Sequence, residues 1–351
     1  QARWLGRPIA ELTQLQRVLV VGSDLRKDHP LLAQRIRQAV RKGAHLHVLD
    51  DTAPAWAMAV RSTVLADSAV WVQALAGVAA AVAAEKGVNA PVAVQADDAQ
   101  RAIALSLLGG EHKAVLLGNA AAHHEKAASL LALANFIAEH TGASVGYLTE
   151  AANTVGAQLV GAVPGQGGQH AGRMLTGGLK AALLLGVEPA HDTAVGAQGL
   201  ASAGMVVTLS PFKTNLDISD VLLPVAPFSE TSGSFVNAEG RLQSFHAVVR
   251  PLGDTRPAWK VLRVLGNLLG LPGFDADSSQ AVLATALPGV QAGDTVPAAR
   301  LSNACAASID TAPASVKPCV ASIYQLDALV RRAPALQLTT DARRGQEGAL
   351  A

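Results

Sequence analysis

The stretch from residue 17 to residue 51 restricts the possible folds more than any other. Residues 18–21, Val-Leu-Val-Val, form an unbroken apolar run, the pattern of a strand buried on both faces of a parallel sheet. Gly22-Ser23-Asp24 turns the chain, and Pro30 is placed to open a helix, where its missing N–H costs nothing. Leu32, Ile36 and Val40 then share one helical face, while Arg35, Arg37, Arg41 and Lys42 stay outside it. Gly43 supplies the stop, and residues 46–49 read as a second strand running into Asp50 and Asp51. Strand, crossover helix and strand together call for parallel pairing, so the chain must build an α/β sheet covered by helices.

The rest of the pattern continues that alternation. Helices are predicted around residues 71–86 and 97–108, followed by a strand at 114–117. Ala127, Leu130, Leu131, Ala134 and Ile137 mark a long amphipathic helix closed near Gly142. Two buried-strand runs are predicted at 181–185 and 205–209 with a helical segment between them, and a third at 221–223 stops at Pro224. Pro257 opens a last helix through Trp259, Leu262, Leu265 and Leu269, stopped by Gly270 and Pro272. Residues 273–318 are rich in Ala, Pro, Ser and Gly and read as an extended or wrapping segment. The expected organisation is a lead-in over 1–14, a first α/β domain over 15–110, a second over 111–272, and an extended segment with a C-terminal tail over 273–351.

Composition removes several classes of function. With 28 basic and 27 acidic side chains there is no electrostatic reason to expect nucleic acid or an anionic membrane. Only 3% of residues are aromatic, too few for a base-stacking platform. The longest nearly apolar run, residues 74–84, is far short of the roughly 20 needed to cross a bilayer, so no direct membrane insertion is expected. Arg3 and Arg7 are not followed by an apolar core, so no signal peptide is read. Cys305 and Cys319 are the whole cysteine complement and read as two reduced thiols; no Cys-x-x-Cys occurs to frame zinc or an iron–sulfur cluster. The chain begins at Gln1, which leads to the expectation of a fragment.

Few constellations carry chemistry. Gly22 and Asp24 after the first strand, with Asp50 ending the next, suggest a dinucleotide turn and its ribose-binding carboxylate. The Gly-x-Gly-x-x-Gly pattern is missing, however, with Asp24 and Lys27 where glycines belong, and a carboxylate at 24 repels phosphate. This favours a structural strand–helix–strand unit. His123-His124-Glu125 lacks the one-turn spacing of a zinc pair and reads as a solvated helix start. The glycine-rich segment 154–168 permits close approach of a ligand or another chain but lacks the Gly-Lys-Ser/Thr of a phosphate loop. In the polar loop after Pro224, Glu230 and Arg241 are expected to pair and lock the loop, and Asn237 to satisfy nearby backbone groups. No catalytic triad, paired acid/base carboxylates or P-loop lysine is found, and no catalytic or metal-binding residue is assigned.

The order Asp220-Val-Leu-Leu-Pro, then Glu230-Thr-Ser-Gly, then Asn237-Ala-Glu-Gly-Arg resembles the molybdopterin oxidoreductase family. It looks closest to the large iron–sulfur (75 kDa type) subunits of respiratory complex I, the NADH:quinone oxidoreductase, and the sequence Ile-Tyr-Gln-Leu-Asp-Ala-Leu-Val-Arg-Arg-Ala-Pro from Ile323 resembles their C-terminal tail. The segment 153–159 also resembles part of the family pattern. The family's Gly-x-Asn-Pro turns are altered here, to Asp24-Leu25 after the first strand and to Gly-Val-Glu-Pro at 186–189. The resemblance implies an α/β, Rossmann-like fold with mostly parallel sheets covered by helices, as in formate dehydrogenase and DMSO reductase-like domains. It implies a scaffold portion without chemistry of its own, in the arm that carries electrons from NADH to quinone. No cofactor is expected in this portion, and the iron–sulfur clusters are expected in a missing N-terminal region. The implied partners are other peripheral-arm subunits, at the cytoplasmic face of a bacterial inner membrane. Vestigial cleft residues would be Gly22, Asp24, Asp50, Glu230, Asn237 and Arg241. The alternative is a fragment of a molybdopterin-dependent enzyme such as a formate dehydrogenase or nitrate reductase.

Overall fold

The computed structural model describes residues 1–343, and these divide into two compact units. The first comprises residues 1–158, 236–241 and 295–320; the second comprises 159–235, 242–294 and the remainder.

The first unit is built on β1 (Arg17–Val21), β2 (His45–Asp50), β3 (Ser62–Leu65), β4 (Lys113–Leu117) and β5 (Ser144–Tyr147). The sheet order is β3-β2-β1-β4-β5, and every pairing is parallel. β1 lies at the centre, with Val20 opposite Val48 on one side and Leu116 on the other. Because side chains alternate across a strand, Val18 and Val20 feed one core while Leu19 and Val21 feed the other. Val18 and Val20 meet α1 (Pro30–Arg41) through Leu32 and Ile36, together with Leu5, Leu12 and Leu15 of the N-terminal segment. Leu19 and Val21 meet α2 (Trp71–Lys86), α3 (Asp98–Leu108) and α4 (Ala127–Thr141).

Helix α2 is apolar on all sides because it is packed on all sides, the expected pattern for a core helix. The stretch Ser68–Lys86 is, among the described residues, one helix long and apolar enough to cross a membrane, and 67% of its apolar window is buried inside the protein. Helix α3 starts with a reciprocal cap: Asp97 accepts from the Gln100 backbone N–H at 2.7 Å while the Gln100 side chain accepts from Asp97 N–H at 3.0 Å. Helix α4 ends on Gly142 at φ 77°, as its sequence required.

Three expectations about organisation need correction. A boundary between residues 110 and 111 would cut the sheet, since β4 pairs along its whole length with β1. The lead-in is part of the fold: Leu5 and Leu12 are fully buried, and the Trp4 carbonyl accepts from Tyr147 N–H on edge strand β5 at 2.8 Å. Asn303 secures that edge, its amide donating to Trp4 O at 2.9 Å and Val145 O at 2.7 Å. The predicted buried strand at 181–185 is only partly covered, as the second unit shows. Farther on, residues 303–316 run along α4, with Asp310 N–H donating to Ser129 Oγ and Ser315 N–H to the Glu125 carboxylate.

The second unit contains β6 (Ala182–Leu185), β7 (Val206–Ser210) and β8 (Val221–Pro224) in a three-stranded parallel sheet. A hairpin of β9 (Gly233–Val236) and β10 (Leu242–Phe245) follows, then α5 (Ala258–Leu268) and α6 (Ser279–Ala286). Between β6 and β7 the predicted helix reduces to the single turns Pro189–Asp192 and Gln198–Ser202. Leu183 and Leu185 point outward at 46% and 43% exposure, so an apolar run alone did not establish burial there.

Both large apolar cores therefore belong to the first unit. Ile36→Ala should cost about 2–5 kcal/mol, because a fully buried side chain leaves a cavity. Leu183→Ala should cost under about 1 kcal/mol, its side chain being already half in water. Equal shifts of the urea midpoint for the two variants would contradict this placement of the core.

Candidate functional site

Open parallel sheets take ligands outside their carboxyl ends, where strand order reverses. In the first unit that point lies between β1 and β4. There β1 runs into Gly22-Ser23-Asp24, β4 into Gly118-Asn119, and β2 into Asp50-Asp51. The two turns are pressed together: a Cβ on Gly118 would lie 2.2 Å from Ser23 Cβ. Gly22 holds φ 59°, and a Cβ there would meet the Trp71 ring at 2.7 Å and Ala121 N at 2.8 Å. Only glycine satisfies both the backbone angle and the space.

Four N–H groups of this edge are already bonded within the chain. Gly22 N–H donates to Leu49 O at 2.9 Å, Gly118 N–H to Val21 O at 2.8 Å, and Ala120 N–H to Gly22 O at 3.1 Å. Ser23 N–H donates to Asp50 Oδ2 at 3.0 Å. Asp50 thus binds the neighbouring turn, in the place where a ribose-binding carboxylate was considered. A pyrophosphate relies on free N–H groups in such a turn, and these four are taken. Arg26, the nearest basic side chain in sequence, reaches to Ala55 O at 3.4 Å.

The charges point the same way. Burial, and then the neighbouring Asp24, push the Asp28 carboxyl up to about 6, with Glu150 and Asp50 adding to the shift. Burial, and then Asp51, raise Asp50 to about 6. Glu150 pairs with His123 at 2.7 Å, and that bond raises the histidine. His29, 6% exposed, is held down to about 4 by burial, with Asn119 and Glu150 opposing. Ser23 Oγ, His29 Nε2 and Asn119 Oδ1 are buried without a hydrogen-bond partner, although Asn119 is near enough to influence His29. Such groups suit water or a small neutral polar molecule. The carboxylates of Asp24, Asp28, Asp50 and Glu150 around them oppose a phosphate-bearing dinucleotide.

Gly22, Asp24 and Asp50 are therefore brought together, joined by Asp28, His29, Asn119 and Glu150, which sequence reasoning passed over. Scanning the first polar residues after every strand end would have found Asn119 and Glu150. Asn237 and Arg241 sit at the β9–β10 turn, where Asn237 Oδ1 accepts from the Glu239 and Arg241 N–H groups. The expected Glu230–Arg241 pair is replaced by others: Arg241 Nε meets Glu239 Oε1 at 3.3 Å, and Glu230 Oε2 accepts from Leu252 N–H at 3.0 Å. The tight turn places Glu239, two residues away, within reach of Arg241. His124 is not solvated. It is 4% exposed, stacks on Trp71 with ring centroids 5.8 Å apart, and its Nε2 lies 2.9 Å from Ser68 O. Among the described residues no group of three His, Cys, Asp or Glu side chains is arranged to hold a metal ion.

Two measurements follow from these contacts. Glu239 Oε2 accepts from the Ile9 N–H at 2.7 Å, so Glu239→Ala should cost about 1.5–3 kcal/mol. Arg241→Ala, which removes a half-exposed partner, should cost about 1 kcal/mol or less; calorimetry that reverses this order would refute the assignment.

For Asp28 the folded pKa lies above 3.8, so the folded protein holds the extra proton between about pH 4 and 6, and stability falls as pH rises through that window. His29 and His47, both lowered from 6.5 to about 4, work in the opposite sense, and stability rises with pH across nearly the same interval. Asp28→Asn should therefore gain a few degrees of melting temperature over the parent chain between pH 4 and pH 7. A difference independent of pH would argue against the buried carboxyl.

Comparison with known proteins agrees with this architecture. The molybdopterin oxidoreductase family profile matches residues 1–268. Over 52 residues, 15% of this chain, it is 42% identical to a protein of Staphylococcus aureus (strain USA300) that carries a provisional formate dehydrogenase name. A similarly named protein of the bovine strain RF122 is 40% identical over 52 residues. Those matches span 5% of each relative's length. Acetylene hydratase from Pelobacter acetylenicus has a similar fold, with TM-score 0.50 and 12% identity over 79% of this chain and 52% of its own. The profile spans both the five-stranded sheet and the second sheet through β10, and the chain belongs to the molybdopterin oxidoreductase family.

Proposed function

We propose that this chain is a non-catalytic α/β portion of a molybdopterin-family oxidoreductase, contributing structure around redox chemistry carried elsewhere in its parent protein. The observation that carries this reading is the carboxyl edge of the first sheet. Gly22, Ser23, Gly118 and Ala120 N–H are satisfied internally, and Asp24, Asp28, Asp50 and Glu150 surround the edge with negative potential. Such an edge opposes a dinucleotide phosphate electrostatically.

Two parents accommodate such a portion. The names of the Staphylococcus aureus relatives support a molybdopterin-dependent enzyme of the formate dehydrogenase type, and they support it more directly than they support complex I. The large iron–sulfur subunit of complex I is supported by the acid-lined edge and by the resemblance of residues 220–241 and of the segment starting at Ile323. In that setting the chain docks neighbouring peripheral-arm subunits at the cytoplasmic face of the membrane, and clusters reside in a cysteine-bearing region outside this chain.

Elemental analysis of the purified chain, with fluorescence of pterins released by acid oxidation, tests the proposal. Neither stoichiometric molybdenum or iron nor pterin is expected. Stoichiometric pterin would overturn the non-catalytic reading and favour the molybdoenzyme parent.

A further inference from the structure

The carboxyl edge of the second sheet is filled in a different way. β6 leaves the sheet through Gly186 at φ 62° and reaches Glu188, while β7 leaves through Phe212 and Asn215, the latter at φ 54°. Asn215 Nδ2 donates to Val187 O at 2.8 Å and ties these two exits together. The space that a ligand takes in an open α/β sheet is occupied here by two arginines from near the end of the chain. Arg331 lies 2.6 Å from Asp192 Oδ1 and 3.5 Å from Glu188 Oε2. Arg332 lies 2.8 Å from Glu188 Oε1, and its guanidinium stands 4.3 Å from the centre of the Phe212 ring.

The Glu188–Arg331 contact is withdrawn from water, while Arg332 and Asp192 are partly exposed. The side chains of Glu188 and Arg331 are 5% and 6% exposed. Asp192 also accepts from Glu188 N–H at 2.7 Å, and Arg331 donates to Gln325 O at 2.7 Å. Two carboxylates thus meet two guanidinium groups, one of them stacked on an aromatic face, which is how proteins recognise an arginine-bearing ligand. A charged Glu188 cannot remain buried alone, because an unpaired buried carboxylate is strongly unfavourable. The arginines are presented in a prepared shape. The Gln337 amide donates to Tyr324 O at 3.0 Å and Val330 O at 2.9 Å, joining the turns Ala328–Arg331 and Pro334–Gln337, and Asp327 caps the first.

We propose that this edge of the second unit is a guanidinium-recognition site whose ligand is the chain's own segment 321–343, a clasp that closes the strand exits and keeps external molecules out. Glu188 and Asp192 are the recognising groups, and Phe212 is the stacking platform. Arg331 and Arg332 occupy the site in cis. The inference holds whichever parent protein the chain comes from, since it rests on contacts within this unit.

Limited trypsin digestion of the intact chain, followed by mass spectrometry, tests it. Cleavage after Arg331 and Arg332 should be slower than after the exposed Lys180 by about tenfold or more, because proteolysis follows the population of the open state. Glu188→Gln, nearly isosteric but uncharged, should remove most of that protection. The exchanged pair Glu188→Arg with Arg332→Glu should restore part of it. Hydrogen exchange in Lys113–Leu117 should stay unchanged in both variants, which separates release of the clasp from general unfolding. Rapid cleavage at Arg331 in the parent chain, or unchanged protection in Glu188→Gln with the strand still protected, would overturn the proposal.

Discussion

Desolvation of one strand organises the first unit. Val18 through Val21 are fully buried, so every backbone polar group of β1 must find a partner in the sheet, and both neighbouring ladders are required. The side chains alternate to two cores, so helices must cover both faces. That requirement accounts for the all-round apolar character of α2, for α1 on the other side, and for the recruitment of Leu5, Leu12 and Leu15 from the N-terminus. It also creates the reversal of strand order between β1 and β4, and with it the crevice at their carboxyl ends.

The two units treat that crevice in related ways. Strand ends leave donors, acceptors and space that a ligand can use. In the first unit the neighbouring turns and Asp50 take up four of the turn N–H groups, and clustered carboxyls make the edge unfavourable for anions. In the second, buried carboxylates at the strand exit are neutralised by arginines of the same chain. Groups of the same chain meet part of the strand-end chemistry in both units.

Much of the architecture was legible because it is local. The apolar run at 18–21, Pro30 and Gly43 act over a few residues, and the corresponding elements fell where periodicity placed them. The failures were non-local. β4 joins the sheet of β1 across almost a hundred residues of chain, which no local signal records. His124 looked solvated because its neighbours are polar, yet Trp71 covers it. Glu230 and Arg241 looked paired because of their charges, but the turn directs Arg241 to Glu239. Leu183 and Leu185 lie in an apolar run and are still open to water.

By itself the sequence determined the α/β class and the strand–helix–strand unit, since each depends on residue type and short spacing. Only the tertiary structure decided which strands share a sheet, that Asp28, His29 and Asn119 gather around that turn, and that Arg331 meets Glu188. Those outcomes depend on chain segments that become neighbours only when apolar faces are buried together, and burial of a shared face is a property of the assembled unit, not of any one segment.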